Sequence, residues 1–151
     1  MHRALIYVFL SLVLPVSLAA QEAADSVVVP PGKVIEMEGA FLQPMQERDC
    51  VLVADQFIYG FELKEVMEGT MLLLPEIPEK QDPRMMFLTP WQLDTVKVHK
   101  QKKGQPRLMD LRGGTVITSF EEGLYELPRI MVGKVNGEGG IDTLLFNALR
   151  L

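Results

Sequence analysis

The chain has 151 residues, 48% of them hydrophobic, and 15 Lys+Arg against 20 Asp+Glu give a formal charge of −5. Size and composition mark one globular domain and exclude disordered and collagen-like classes. A single cysteine rules out an internal disulfide and a cysteine-rich zinc site. The acidic balance speaks against a nucleic-acid partner, which needs a basic face.

Met1-His2-Arg3 is a short basic start, and Ala4 to Leu18 is almost continuously apolar. Ser17-Leu18-Ala19-Ala20-Gln21 then offers small residues for cleavage after Ala19 or Ala20. This is the three-part pattern of a secretory signal peptide over residues 1–20. The apolar run is about 15 residues, short of the roughly 20 that span a bilayer. Residues 21–32 read as a flexible leader and residues 33–151 as the exported domain. In an oxidising compartment the odd Cys50 suggests a free thiol or an intermolecular bridge. Its plainer reading is a small hydrophobe at the start of the strand-like run Val51-Leu52-Val53.

After the leader the hydrophobic period is 2 rather than 3.6. Lys33 to Glu38 is a weak strand candidate. In Phe57 to Lys64 the odd positions carry Phe57, Tyr59, Phe61 and Leu63, which predicts a half-buried strand. Glu68-Gly69 is a turn, Met71 to Leu74 a short apolar strand, and Glu79 to Arg84 a surface loop. Trp91 to His99 is a further strand whose parity slips between Leu93 and Val96, the mark of a bulge or a crossing between sheets. Lys100 to Pro106 makes a polar hairpin tip. A return strand runs from Arg107 to Phe120, interrupted at Gly113-Gly114. Leu124 to Val132 follows with a slip at Pro128, then the Asn136 to Gly140 turn and a last strand over Ile141 to Leu151. About seven short strands between turn signals predict an all-β antiparallel sandwich.

No residue pattern supports a catalytic, cofactor-binding or metal-ligating role. G-x-S-x-G, H-E-x-x-H, P-loop and G-x-G-x-x-G motifs are lacking, and the adjacent Glu121-Glu122 would point to opposite faces of a strand. Lys100, Lys102 and Lys103 could meet an acidic partner, but with no aromatic among them they read first as a solvated tip that discourages edge pairing. Glu121-Glu122-Gly123-Leu124-Tyr125-Glu126-Leu127-Pro128 has the spacing of a tyrosine corner, in which the phenol bonds backbone a few residues upstream. Phe120, Gly123, Tyr125 and Pro128 are therefore read as structural, and Trp91 as a possible interaction residue.

The segment Val116 to Val132, followed by Asp142-Thr143-Leu144, resembles extracytoplasmic immunoglobulin-like proteins of Bacteroidota related to the BatD aerotolerance proteins. Their "TSF-x-x-G-x-Y-x-x-P" strand precedes a "DT" strand; Asp55 to Leu63 and Trp91 to Thr95 sit where that family has its first strands. The resemblance spans Val51 to Leu151 and implies an immunoglobulin-like sandwich facing the periplasm, working with other envelope proteins rather than as an enzyme. Members carry a membrane helix after the sandwich, and Ile141 to Leu151 is apolar on both strand faces. Continuation beyond Leu151 into an anchor is thus expected, with any membrane association made through that further segment. The alternatives are a carbohydrate-binding or adhesin-like surface domain using an exposed Trp91 platform and, behind it, a hydrolase.

Overall fold

A computed structural model describes residues 32–47, 49–79, 81–101 and 103–151. The predicted signal peptide, the leader up to residue 31 and Lys102 lie outside them. The described residues form nine strands: β1 (Val34–Met37), β2 (Ala40–Pro44), β3 (Gln56–Met67), β4 (Leu72–Leu73), β5 (Met85–Phe87), β6 (Gln92–Val98), β7 (Leu108–Ser119), β8 (Met131–Val135) and β9 (Ile141–Phe146). They make two sheets, β1-β9-β8-β4 and β2-β3-β7-β5, with β6 also paired to β7. The fold is an all-β sandwich in which every strand pair but one is antiparallel.

Period-two patterning decides which side chains meet between the sheets. Phe57, Tyr59, Phe61 and Leu63 of β3 are all buried, as are Leu111 and Ile117 of β7. From the other side come Val132, Leu144 and Phe146 of the second sheet, with Ile130 just ahead of β8. Phe61 and Phe146 meet across the core at 4.9 Å between ring centroids.

The exception is β1, which runs parallel to β9 with Val34 opposite Thr143. At Gly39, in a left-handed conformation with φ +103°, the chain crosses to the other sheet and continues as β2 against β3. Asn147 staples the crossing: its amide donates to the Met37 carbonyl at 3.0 Å and its side-chain oxygen accepts from the Ala40 amide at 3.2 Å. β9 therefore lies between β1 and β8. That interior position, with β1 paired along Thr143 to Phe146, accounts for a strand apolar on both faces.

Several sequence expectations need correction. Gly113-Gly114 does not interrupt the return strand: both residues pair with β3, and the ring of Phe61 occupies the space beside Gly113. No strand forms from Leu124 to Ile130. Tyr125 instead exchanges backbone hydrogen bonds with Leu151, and the Leu127 amide donates to the Leu149 carbonyl; β8 starts only after Pro128, which has no N–H to give a ladder. The last strand likewise ends at Phe146. Val51 to Val53 is an exposed loop rather than a strand, and the Cys50 thiol is exposed and free. The parity slip after Trp91 is a bulge, with the register shifting between Thr95 and Lys97.

Candidate functional site

The two sheets do not close on each other along the edge formed by β4 and β5. These strands have two and three residues, and Pro75 and Pro78 prevent the chain between them from adding ladder hydrogen bonds. The result is a groove of about 360 Å³ lined by Tyr59, Phe87, Trp91, Ile130 and Met131, with Pro75, Pro78 and Pro128 on its walls. Three aromatic rings and three prolines make a stiff, mostly apolar surface. Such side chains lose little rotamer entropy when a partner seats on them.

Each ring is positioned from below. Tyr59 is buried because it faces inward on β3, and its hydroxyl donates to the Pro128 carbonyl, tying β3 to the approach to β8. Burial pushes that phenol up to about 12, so at neutral pH it remains a committed donor. Trp91 lies 5.9 Å from the Tyr59 ring and 6.0 Å from Phe61. It is half-buried, not the exposed platform that glycan stacking requires. Arg129 lines the groove, but its guanidinium is engaged elsewhere, with the Glu36 carboxylate and, at 2.9 Å, the Phe146 carbonyl. Glu76 is the groove's exposed carboxylate.

Below the groove lies the corner between β7 and β8. Tyr125 is buried, and its hydroxyl donates to the Glu121 carbonyl at 2.5 Å. The Arg84 guanidinium stands 5.4 Å from the centroid of its ring. Gly123 adopts φ +151° with open space where a side chain would stand. Pro128 contributes the carbonyl that takes the Tyr59 hydroxyl. Phe120 departs from its expected structural role: β7 turns Ser119 inward, so the next side chain points out and is 45% exposed. Only its amide is fixed, to the Arg84 carbonyl at 2.8 Å.

The basic stretch divides. Lys100 and Lys103 are exposed on the turn joining β6 to β7, whereas His99 is partly buried and its Nε2 meets Asp110 Oδ1 at 2.8 Å. Asp110 also accepts the Glu65 amide at 3.0 Å, and these two bonds, the amide first, hold its carboxyl below the usual carboxylate range. Glu65 occupies a bulge in β3, with φ +56°. Among the described residues no group of three or more His, Cys, Asp or Glu is placed to hold a metal ion, and no helix is long and apolar enough to cross a membrane.

Sequence reasoning found Trp91, Tyr125 and Pro128 but missed the groove that unites Trp91 and Pro128 with Tyr59 and Phe87. The available signal was Pro75 and Pro78 following directly on so short an apolar run, which foretells a stunted edge strand. No protein-family model matches the chain, and no curated protein or solved structure is significantly similar to it.

Proposed function

We propose that this chain is a non-enzymatic interaction module of the cell envelope, exported by its N-terminal signal, that binds an extended apolar segment of another envelope protein in the groove beside Trp91. The groove is the observation that carries the reading. Its lining is aromatic and prolyl, its one buried hydroxyl is committed to Pro128, and an apolar cleft with few polar groups is the usual form of a binding site. A glycan would need hydrogen-bonding partners beside the rings, and Glu76 alone is a thin supply. A peptide in extended conformation needs only stiff apolar walls of the kind that hold proline-rich segments.

The strand order supports an immunoglobulin-like assignment. β1 and β6 aside, β2-β3-β7-β5 facing β4-β8-β9 runs in the same order as the A-B-E-D and C-F-G sheets of a constant-type domain, and Tyr125 lies between β7 and β8 as the tyrosine of such domains lies between E and F. The resemblance to BatD relatives adds the envelope setting.

A photo-crosslinking residue at Met131, on the groove, should capture one defined envelope protein in intact cells. The same residue at Val96, outside the groove, should not. Equal yields from both positions would sink the reading, and glycan binding lost on Trp91→Ala would transfer the site to a carbohydrate module.

A further inference from the structure

The two ends of the sandwich differ in a way the groove does not use. β7 runs the length of the molecule, roughly 35 Å at the usual strand rise. Beyond Ser119, at one end, the β2–β3 loop and the β7–β8 corner surround a shallow concavity of about 270 Å³. There Val51 is 62% and Leu124 87% exposed, with Leu52, Val53 and Phe120 also exposed. The loop is built rather than slack. Asp55 Oδ2 accepts the Leu52 amide at 2.7 Å, the Ala54 amide donates to the Ser119 carbonyl at 2.7 Å, and Thr118 Oγ1 donates to the Asp55 carbonyl at 3.0 Å. Ala54 is held at φ +69°, a left-handed conformation that costs a non-glycine residue free energy and persists where surrounding structure enforces it. This fixed turn keeps three aliphatic side chains in water. Carboxylates rim them: Glu121 and Glu122 line the same concavity, while the nearby Arg84 and Arg150 are engaged with Asp82 and Glu126.

At the other end of β7 the charge balance is reversed, Glu68 there being paired with Arg107 at 3.6 Å. Met67 pairs with Leu108 and Val98 with Met109; Met67 and Val98 are exposed, and Met71, just past the turn that follows β3, is 63% exposed. The exposed Lys100 and Lys103 stand on the turn beside them.

We infer that the sandwich stacks head to tail on further copies of itself, the acid-rimmed aliphatic end of one copy seating on the lysine-rimmed methionine and valine end of the next. Complementarity in both charge and apolar character selects this occupant. An anionic surface would be repelled by the carboxylate rim, and two like ends would bring the same charges together. The contact is heterologous, so it propagates into linear chains instead of closing as a dimer. Screening weakens its charged part as salt rises.

Sedimentation velocity on the purified protein tests this. The weight-average mass should climb with concentration past that of a dimer at low ionic strength. Glu121→Lys with Glu122→Lys makes both ends basic, and Lys100→Glu with Lys103→Glu makes both ends acidic. Each double variant alone should remain monomeric, and their equimolar mixture should associate again because every contact then joins opposite ends. All four positions are exposed, so the fold should survive; unchanged far-UV circular dichroism checks that. A wild-type mass that stays monomeric throughout, or double variants that associate as the wild type does, would overturn the stacking. So would a monomer that floats with phosphatidylcholine vesicles through Leu124, because the apolar end would then face lipid.

Discussion

Gly113→Ala is the sharpest test of the packing. A Cβ at position 113 would lie 2.3 Å from Cζ and 2.4 Å from Cε1 of Phe61, well inside van der Waals contact. Phe61 cannot withdraw, because it is fully buried between Trp91 and Phe146. Forcing one methyl into a filled core costs about 1–3 kcal/mol, and replacing a mid-strand glycine by alanine returns about 0.5–1 kcal/mol of backbone entropy. The net loss should be about 1–2 kcal/mol. The neighbouring Gly114→Ala is the control: its Cβ would press only on Ile58 Cγ2, at 3.2 Å, with the Tyr59 carbonyl oxygen at an ordinary 3.6 Å, and the half-exposed Ile58 side chain can shift. That variant should be neutral or slightly stabilised. Urea unfolding reads the difference as a lower midpoint at unchanged slope for position 113 alone. Adding Phe61→Leu to Gly113→Ala should recover part of the loss, giving a coupling energy in a double-mutant cycle. Equal midpoints for the two alanine variants would show that the Phe61 ring does not fill that space.

Two further outcomes follow from hydrogen bonds. Tyr125→Phe removes the hydroxyl bonded to Glu121 and should cost about 1–2 kcal/mol; an unchanged denaturant midpoint would mean that the phenol does not pin the corner. The pH profile should fall at both extremes. Asp82, at about 2, and the lowered Asp110 and Asp142 ionise more readily folded than unfolded, so their stabilisation is present above pH about 4 and lost as pH drops through the folded values. Tyr59, raised to about 12, contributes stability below pH about 10 that disappears as pH rises toward 12. Unfolding midpoints across pH check both arms, and Asp110→Asn should make the acid arm shallower.

The strands that were legible in the sequence are those whose two faces differ. β3 announces itself because Phe57, Tyr59, Phe61 and Leu63 alternate with smaller or polar residues, and alternation is what a strand with one buried face requires. β2 and β5 escaped notice for the opposite reason. Ala40-Phe41-Leu42 and Met85-Met86-Phe87 are apolar without alternation and too short to show a period. The parallel pairing of β1 with β9 was equally invisible, since its determinants are Gly39 and the Asn147 side chain, more than a hundred residues apart in the chain. Gly113 misled because a glycine pair usually punctuates a strand; here the missing side chain makes room for a ring on the neighbouring strand.

The slip after Trp91 shows how far local pattern reaches. A parity change foretells a bulge, and the bulge is there, but the sequence gives no sign that β3 carries another opposite the same point of β7. On one side Leu63 and Val66 of β3 pair with Leu111 and Met109, leaving Asp110 between them; on the other Thr95 of β6 pairs with Leu111 and Lys97 with Asp110 itself. One carboxylate faces both irregularities: it takes the amide of Glu65, turned inward by its positive φ, and it meets His99 where β6 ends. A bulge leaves an amide without a ladder partner, so this acceptor on the neighbouring strand offsets the cost of the β3 bulge. Bulges strengthen local twist, and both lie toward the methionine- and lysine-bearing end of β3 and β6. Asp110 is thus read best as the residue that sets the shape of one end of the sandwich, a role no spacing rule could assign because it arises only when three strands lie side by side.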